Sequence, residues 1–312
     1  MPLSELVLTD TGVAERCKDD MAIRLLREYE GLALERDPRG YAVGFSGGKD
    51  SLVVKQLCKE AGVKHFCLYN VTGLDPPKLV YFKRKRFAEY EAEGIPCRDL
   101  MYKQNIVQLM RTKNMPPTRL IRFCCSELKE RTPPDLQNCV YSFGVRQMES
   151  RSRAMRRDEM EVYHRRGTTK FAFDNHENRR NFEVCYAANP LGQIRINPIA
   201  RGWSDGDVWD FIHDRRLEYC SLYDEGFTQL GCAGCPMAGK KRVWEFKRWP
   251  GLERIWRRGF ALMWEERLRR KAAGKRYNID FQSVDEWWDW WMELTPKREA
   301  QIAGQLQMDM EQ

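Results

Sequence analysis

Seven residues, Phe45-Ser46-Gly47-Gly48-Lys49-Asp50-Ser51, have the types and order needed to hold an anion. A short apolar run from Tyr41 ends at Phe45, glycines follow, and a helical stretch begins at Ser51. Glycines let a backbone approach an anion closely and adopt dihedrals that other residues avoid. The free N–H groups at the helix start then point at that anion. Ser46 and Ser51 add hydroxyl donors, and Lys49 adds charge. Asp50 reads either as a partner for a nucleotide-bound Mg2+ or as an acidic residue opening the helix. The spacing is not that of a Walker A loop, which needs Gly, four residues, then Gly-Lys-Ser/Thr.

A second set of reactive residues is the cysteines, eleven in 312 residues. Cys17, Cys58, Cys67, Cys97, Cys139, Cys185 and Cys220 are isolated and read as small buried apolar groups. Cys124-Cys125 and Cys232-Ala233-Gly234-Cys235 are paired. Adjacent thiolates suit different irons of a cube better than one zinc ion, and the two pairs supply the four thiolates of a [4Fe–4S] cluster. A zinc site with four cysteine ligands and buried free thiols remain open. Arg122, Lys129, Arg131, Lys240 and Lys241 flank the pairs, where positive charge stabilises thiolates and an anionic substrate.

The formal charge is +8, and much of it is local. Arg146, Arg151, Arg153, Arg156, Arg157, Arg165, Arg166, Arg179 and Arg180 form a cluster suited to nucleotide phosphates or a nucleic-acid backbone. A solvated surface is the plainer alternative. Hydrophobic residues at 42% suffice for a packed core. No apolar run is long enough to span a membrane. Met1-Pro2-Leu3-Ser4-Glu5 lacks a basic region followed by an apolar run, so a cytoplasmic location without structural disulfides is expected.

The elements that must position these residues follow from periodicity. Residues 18–35 read as an amphipathic helix with apolar Met21, Leu25, Leu26 and Tyr29. Tyr41 to Phe45 and Lys64 to Tyr69 read as buried strands, with helices at Ser51 to Ala61 and Pro77 to Glu93. Cys139 to Phe143 suggests another inner strand. The β-α-β-α order predicts a doubly wound α/β parallel sheet. Residues 150–185 are polar and weakly periodic and are expected to be an insertion or lid. Ser204 to Asp214 predicts a helix with an N-cap serine. After a Gly/Cys loop, helices are expected over Lys241 to Lys271 and Val284 to Leu294. Trp287, Trp288, Trp290 and Trp291 are expected to pack a core. These readings divide the chain into a nucleotide domain, 1–221, and a helical region, 222–312.

The loop at 45–51 resembles the Ser-Gly-Gly-x-Asp-Ser loop of PP-loop ATP pyrophosphatases. Further stretches resemble the phosphoadenylyl-sulfate (PAPS) reductase family: Asn70-Val71-Thr72-Gly73-Leu74-Asp75-Pro76-Pro77, Gly144-Val145-Arg146-Gln147-Met148-Glu149-Ser150-Arg151-Ser152-Arg153, Asn197-Pro198-Ile199, and Trp203-Ser204-Asp205-Gly206-Asp207-Val208-Trp209. The resemblance implies an adenine-nucleotide α-hydrolase (HUP-like) fold. It implies a nucleotide site made of Ser46, Gly47, Gly48, Lys49, Asp50, Ser51, Asn70, Thr72, Gly73, Gly144 and Arg146, with ATP and Mg2+ as ligands. Arg146 and Arg153 would contact phosphate, for which the guanidinium fork is suited. Asp207 would cap a helix and Trp209 would lie in the core. Cys124, Cys125, Cys232 and Cys235 match the cluster ligands of the iron–sulfur members.

The family includes reductases and sulfur transferases. Sulfonucleotide reductases use a C-terminal cysteine in a Glu-Cys-Gly-x-His context, and this sequence has no cysteine after Cys235. Their phosphate loop is usually degenerate, whereas this one is intact. The combination looks like the C component of DNA phosphorothioation systems. That resemblance implies ATP-dependent sulfur transfer to a nucleic-acid acceptor, with a sulfur donor such as a cysteine desulfurase and partner subunits. The alternatives are a sulfonucleotide reductase and a nucleotide-binding, redox-sensing or partner-docking protein; ATP sulfurylase small subunits share the loop but lack the cysteine quartet.

Overall fold

The structure is a computed structural model that describes residues 7–8, 14–15, 18–164, 167–173, 175–188, 192–277 and 279–293. Cys17, Arg165, Arg166 and the two ends of the chain lie outside the described residues. Strands β1 (Val7–Leu8) and β2 (Ala14–Glu15) form a small antiparallel pair. The remaining elements fall into two compact units: residues 1–69, 81–98 and 132–229, and residues 70–80, 99–131 and 230–312.

The first unit is built on a sheet of β3 (Tyr41–Gly44), β4 (His65–Asn70), β5 (Cys97–Leu100), β6 (Val140–Ser142), β7 (Met160–His164), β8 (Gly167–Phe171) and β9 (Gln193–Ile196). Their order is β5-β4-β3-β6-β9-β7-β8. β3 pairs in parallel with both β4 and β6, and β6 in parallel with β9. The chain leaves β3 outward on one side and later returns to its other side, so the winding reverses at β3. Such a reversal opens a crevice beyond the carboxyl ends of the strands, where α/β proteins bind ligands. β3 and β4 are buried along nearly their whole length, which explains their continuous apolar run.

Helices cover this sheet: α1 (Lys18–Glu28), α2 (Glu30–Arg36), α3 (Lys49–Ala61), α4 (Pro77–Ala92), α7 (Arg151–Arg156), α8 (His176–Ala188) and α9 (Asp205–Asp214), with α5 (Ile106–Lys113) and α6 (Phe123–Leu128) in the second unit. The helix expected over 18–35 is two, separated at Tyr29, which is itself buried. α3 packs against α1 and α9. α9 begins as expected, with the Ser204 side chain accepting from Asp207 N–H and the Asp207 carboxylate accepting from Ser204 N–H.

The segment 150–185, expected as an insertion or lid, carries regular secondary structure. It contains α7, the antiparallel hairpin β7–β8 and most of α8, and β7 joins the main sheet against β9. Its alternation is hidden because Glu161, wholly buried between buried Met160 and Val162, is satisfied by Arg157 at 3.1 Å. A paired buried charge reads as surface in sequence.

The second unit adds α10 (Lys241–Arg248), α11 (Pro250–Ala272) and α12 (Val284–Glu293). The single long helix expected over 241–271 is interrupted at Trp249, and Pro250 opens α11 where a missing N–H costs nothing. All four tryptophans of α12 are buried, packed with Phe246, Trp256, Phe260 and Phe281. The division therefore differs from one cut at 221/222: residues 70–80 and 99–131 supply Leu74, Ile106, Met110 and Phe123 to the aromatic core of the C-terminal helices. An α12 with four buried tryptophans needs apolar partners, and these stretches provide them.

Candidate functional site

In the first unit, β3 delivers the chain to Phe45 and α3 begins at Lys49, so the loop between them lies at the reversal of the sheet. Gly47 takes a φ of 78°, a conformation that favours glycine. The loop is tied internally. Ser46 N–H donates to Ser51 Oγ at 3.1 Å, the two hydroxyls stand 3.2 Å apart, and Ser51 Oγ donates to Gly48 O at 2.8 Å. Gly48 N–H donates to Ser46 Oγ at 3.3 Å. The hydroxyls are held at the mouth of α3 by these bonds.

Two acids and two cations surround the loop. Lys49, only 2% exposed, sets its Nζ 3.0 Å from Asp205 Oδ1 and 3.4 Å from Asp50 Oδ2. Arg146, 3% exposed, directs Nε to Asp50 and Nη2 to Asp205 Oδ1 at 2.8 Å. Burial opposes ionisation of Asp205, but Lys49 and Arg146 outweigh it and hold the carboxyl below its usual range. Arg153 pairs with Glu149. Burial lowers its basicity, and Asp50 opposes that, so Arg153 lies within electrostatic reach of the loop. Gly144 explains how the strand-end loop after β6 comes so close: a Cβ there would stand 2.7 Å from the Asp50 carbonyl carbon.

Two contributors escape a reading of the sequence. Asp205 stands out there only as part of a resembling stretch, and Tyr223 not at all. Tyr223 OH accepts the Lys49 backbone N–H at 2.9 Å, and burial raises the phenol's pKa well above its ordinary value. Trp209, expected in the core, is half-buried and packs edge-on against Tyr223 at 5.0 Å, so it supports that phenol. Only the tertiary fold brings Tyr223 to the loop; no spacing announces it.

Asn70, expected with the nucleotide, is the last residue of β4, and Thr72 and Gly73, expected with it, follow directly. Asn70 Nδ2 donates to Lys129 O at 3.1 Å and Tyr102 OH donates to Asn70 Oδ1 at 2.7 Å. Thr72 Oγ1 donates to Asp75 at 2.9 Å and accepts from Cys232 Sγ at 3.5 Å. The Cys232–Cys235 turn is pinned at three points: Ala233 N–H to Leu74 O at 2.8 Å, Trp256 Nε1 to Ala233 O at 3.0 Å, and Gly234 N–H to Glu245 Oε2 at 2.7 Å. Gly234 has a φ of 75°, and a Cβ on it would meet Trp256 Nε1 at 2.6 Å.

All four paired cysteines lie in this unit and share one electrostatic neighbourhood. The Cys124 thiol donates a hydrogen bond to Cys125 and feels Cys235 and Cys232, which together with burial push its pKa far up. Cys125 falls to about 6, through the bond from Cys124, then the charges of Lys129 and Arg122 against burial. Burial pushes Cys232 up to about 11. The Cys232 charge raises the Lys129 ammonium above its ordinary value. Of the expected flanking cations, Lys129 and Arg122 act on the thiols, whereas Lys240 and Lys241 point to solvent. Among the described residues no group of three or more His, Cys, Asp or Glu converges closely enough to hold a metal ion as it stands. The donor set nevertheless suits a cube, which spreads its four thiolate ligands over separate irons.

A mainly parallel sheet reversing at a Ser-Gly-Gly loop, with cations over the loop, defines a PP-loop nucleotide-binding α/β protein. Residues 40–238 match the sequence profile of the phosphoadenosine phosphosulfate reductase domain, and the chain belongs to that family. It is 28% identical over 279 residues to an uncharacterized protein of Methanocaldococcus jannaschii, covering 83% of this chain and 54% of that protein. It is 44% identical over 52 residues to the adenosine 5'-phosphosulfate reductase of Allochromatium vinosum, covering 17% of this chain and 19% of that enzyme. The chain spans about half the length of the first curated relatives it matches. Among solved structures, the phosphoadenylyl-sulfate reductase of Candida auris, in a phosphate complex, aligns with a TM-score of 0.42 and 16% identity, over 73% of this chain and 97% of that one. No helix among the described residues is long and apolar enough to cross a membrane.

Proposed function

We propose that this chain cleaves ATP between its α- and β-phosphates and couples the adenylation to iron–sulfur-dependent sulfur transfer onto nucleic acid, as in DNA phosphorothioation. The observation that carries the reading is one chain with both an intact, cation-lined phosphate loop and four thiols in a shared electrostatic neighbourhood. Ser46, Ser51 and the first turn of α3 offer donors to the pyrophosphate. Lys49 and Arg146 exchange Asp50 and Asp205 for phosphate oxygens, and Arg153 adds charge. The released carboxylates would hold Mg2+, which when bound neutralises charge on the leaving pyrophosphate. An acceptor oxygen attacks the α-phosphorus and pyrophosphate leaves with the electron pair. The terminal sulfur of a persulfide on a donor such as a cysteine desulfurase then attacks the activated centre, AMP leaves with the acceptor oxygen, and two electrons from a thiol reductant cleave the resulting disulfide to free the donor thiol. Cys124, Cys125, Cys232 and Cys235 would hold a [4Fe–4S] cluster, which when bound supplies redox or sulfur-relay chemistry.

The identity to an adenosine 5'-phosphosulfate reductase over 52 residues favours a second reading, reduction of a sulfonucleotide. Product analysis separates them. Protein purified without oxygen and given Mg·ATP, with and without DNA or RNA, is expected to form AMP and pyrophosphate, with stimulation by the acceptor polymer. No cleavage with any polymer, together with sulfite release from adenylyl sulfate and a thiol reductant, overturns the first reading in favour of the second.

A further inference from the structure

Helix α10 presents a surface that the nucleotide loop and the cysteine cluster leave unused. Trp244 is 48% exposed, beside exposed Val243. Exposed Lys240 and Lys241 lie one turn before it, and exposed Lys247 and Arg248 one turn after it. Residues three and four apart share a helix face, so an indole is flanked at both ends by cations. The helix's one acid, Glu245, is turned away and accepts the Gly234 N–H at 2.7 Å. Arg242 and Phe246, on the opposite face, are buried against α12, where Arg242 Nη2 donates to Trp291 O at 3.0 Å.

The charge placement is informative. Lys247 and Arg248 suit the negative end of the helix, but Lys240 and Lys241 sit at the positive end, where cations are disfavoured. Beside these cations Trp244, edge-on to Trp249 at 6.4 Å, still leaves about half of its indole surface exposed. Both features are explained by a polyanion carrying flat aromatic groups. Backbone phosphates neutralise the cations and a base stacks on the indole. The helix follows the cysteine turn directly, since Lys240 is the fifth residue after Cys235.

We propose that the Lys240–Arg248 face binds a single-stranded segment of nucleic acid, Trp244 stacking on a base and the four cations tracking the phosphates. This deepens, and rests on, the nucleic-acid acceptor in the function proposed above; it identifies where that acceptor is held.

The test is anisotropy of a labelled single-stranded DNA or RNA 20-mer with the full chain at several salt concentrations. Trp244→Ala is expected to weaken binding by about tenfold, within the range for loss of one base–aromatic stack, and Trp244→Phe by less. The double variant Lys240→Gln/Lys241→Gln is expected to reduce the slope of log affinity against log salt by about 1.4, at roughly 0.7 for each single-strand phosphate that is no longer neutralised. Circular dichroism verifies that each variant keeps its fold, as surface positions should. Unchanged affinity in Trp244→Ala, or an unchanged salt slope in the double variant, overturns the proposal. So does equal affinity for duplex, or no binding by the parent protein, which would leave the face to a protein partner. AMP and pyrophosphate formation is read in parallel. ATP cleavage with unaffected Trp244→Ala binding sinks only this surface. Binding that depends on Trp244 without any ATP cleavage sinks only the catalytic reading.

Discussion

The Tyr223 phenol accepts the backbone N–H of Lys49 at 2.9 Å, linking the end of the nucleotide unit's chain to the first residue of the helix behind the phosphate loop. That bond fixes the N–H at the head of α3 while leaving the Lys49 side chain with Asp50 and Asp205. Tyr223→Phe removes one hydrogen bond and little volume. The expected cost is about 1 kcal/mol of stability, with weaker pyrophosphate binding in calorimetry. Unchanged pyrophosphate affinity would show that the loop holds its shape without the phenol.

Gly144 is expected to tolerate no side chain. A Cβ there would lie 2.7 to 2.9 Å from Asp50 backbone and Cβ atoms, none of which is the end of a flexible chain. Gly144→Ala should cost about 1–3 kcal/mol in a thermal or urea melt, the usual range for overpacking. It should also displace Asp50 from Arg146 and so impair nucleotide binding. A variant with parental stability and parental ATP affinity would contradict the close approach.

Trp256 separates the packing of the second unit from the shape of its cysteine turn. Its indole is 1% exposed and donates to Ala233 O, between Cys232 and Cys235. Trp256→Phe keeps most of the apolar volume but leaves that carbonyl unpaired, at about 1–3 kcal/mol. If the quartet holds a cluster, iron content after anaerobic reconstitution should fall in Trp256→Phe and collapse in Cys232→Ala. Full iron content in Cys232→Ala would remove it as a ligand.

Acid should weaken the two units through two different carboxylates. Bonds from Arg39 lower Asp37 from 3.8 to about 2 against burial, and bonds from Arg269 and Arg270 lower Glu266 from 4.5 to about 2. A depressed folded-state pKa means the unfolded chain takes up the proton first. The stabilisation is therefore complete above the unfolded value and is lost as pH falls toward 2: from about 3.8 for Asp37 and about 4.5 for Glu266. Asp37→Asn and Glu266→Gln should each lower stability at pH 7 and flatten the acid limb of the stability–pH curve. An unaltered acid limb in both would exclude these groups as the source.

What the sequence by itself determined is local. Ser46 to Ser51 announced a phosphate loop because a strand end, glycines and a helix start are consecutive, and their geometry depends on near neighbours. The Ser204–Asp207 cap and the buried tryptophans of α12 were legible for the same reason. Tertiary structure alone decided which distant groups meet. It brought Asp205 and Tyr223 to Lys49, set Thr72 against Cys232, and assembled the helical unit from three separate stretches. It also made a strand of Met160–His164 by burying Glu161 with Arg157. These outcomes depend on packing and on charge pairs between residues far apart in the chain, and neither leaves a periodicity or a spacing to read.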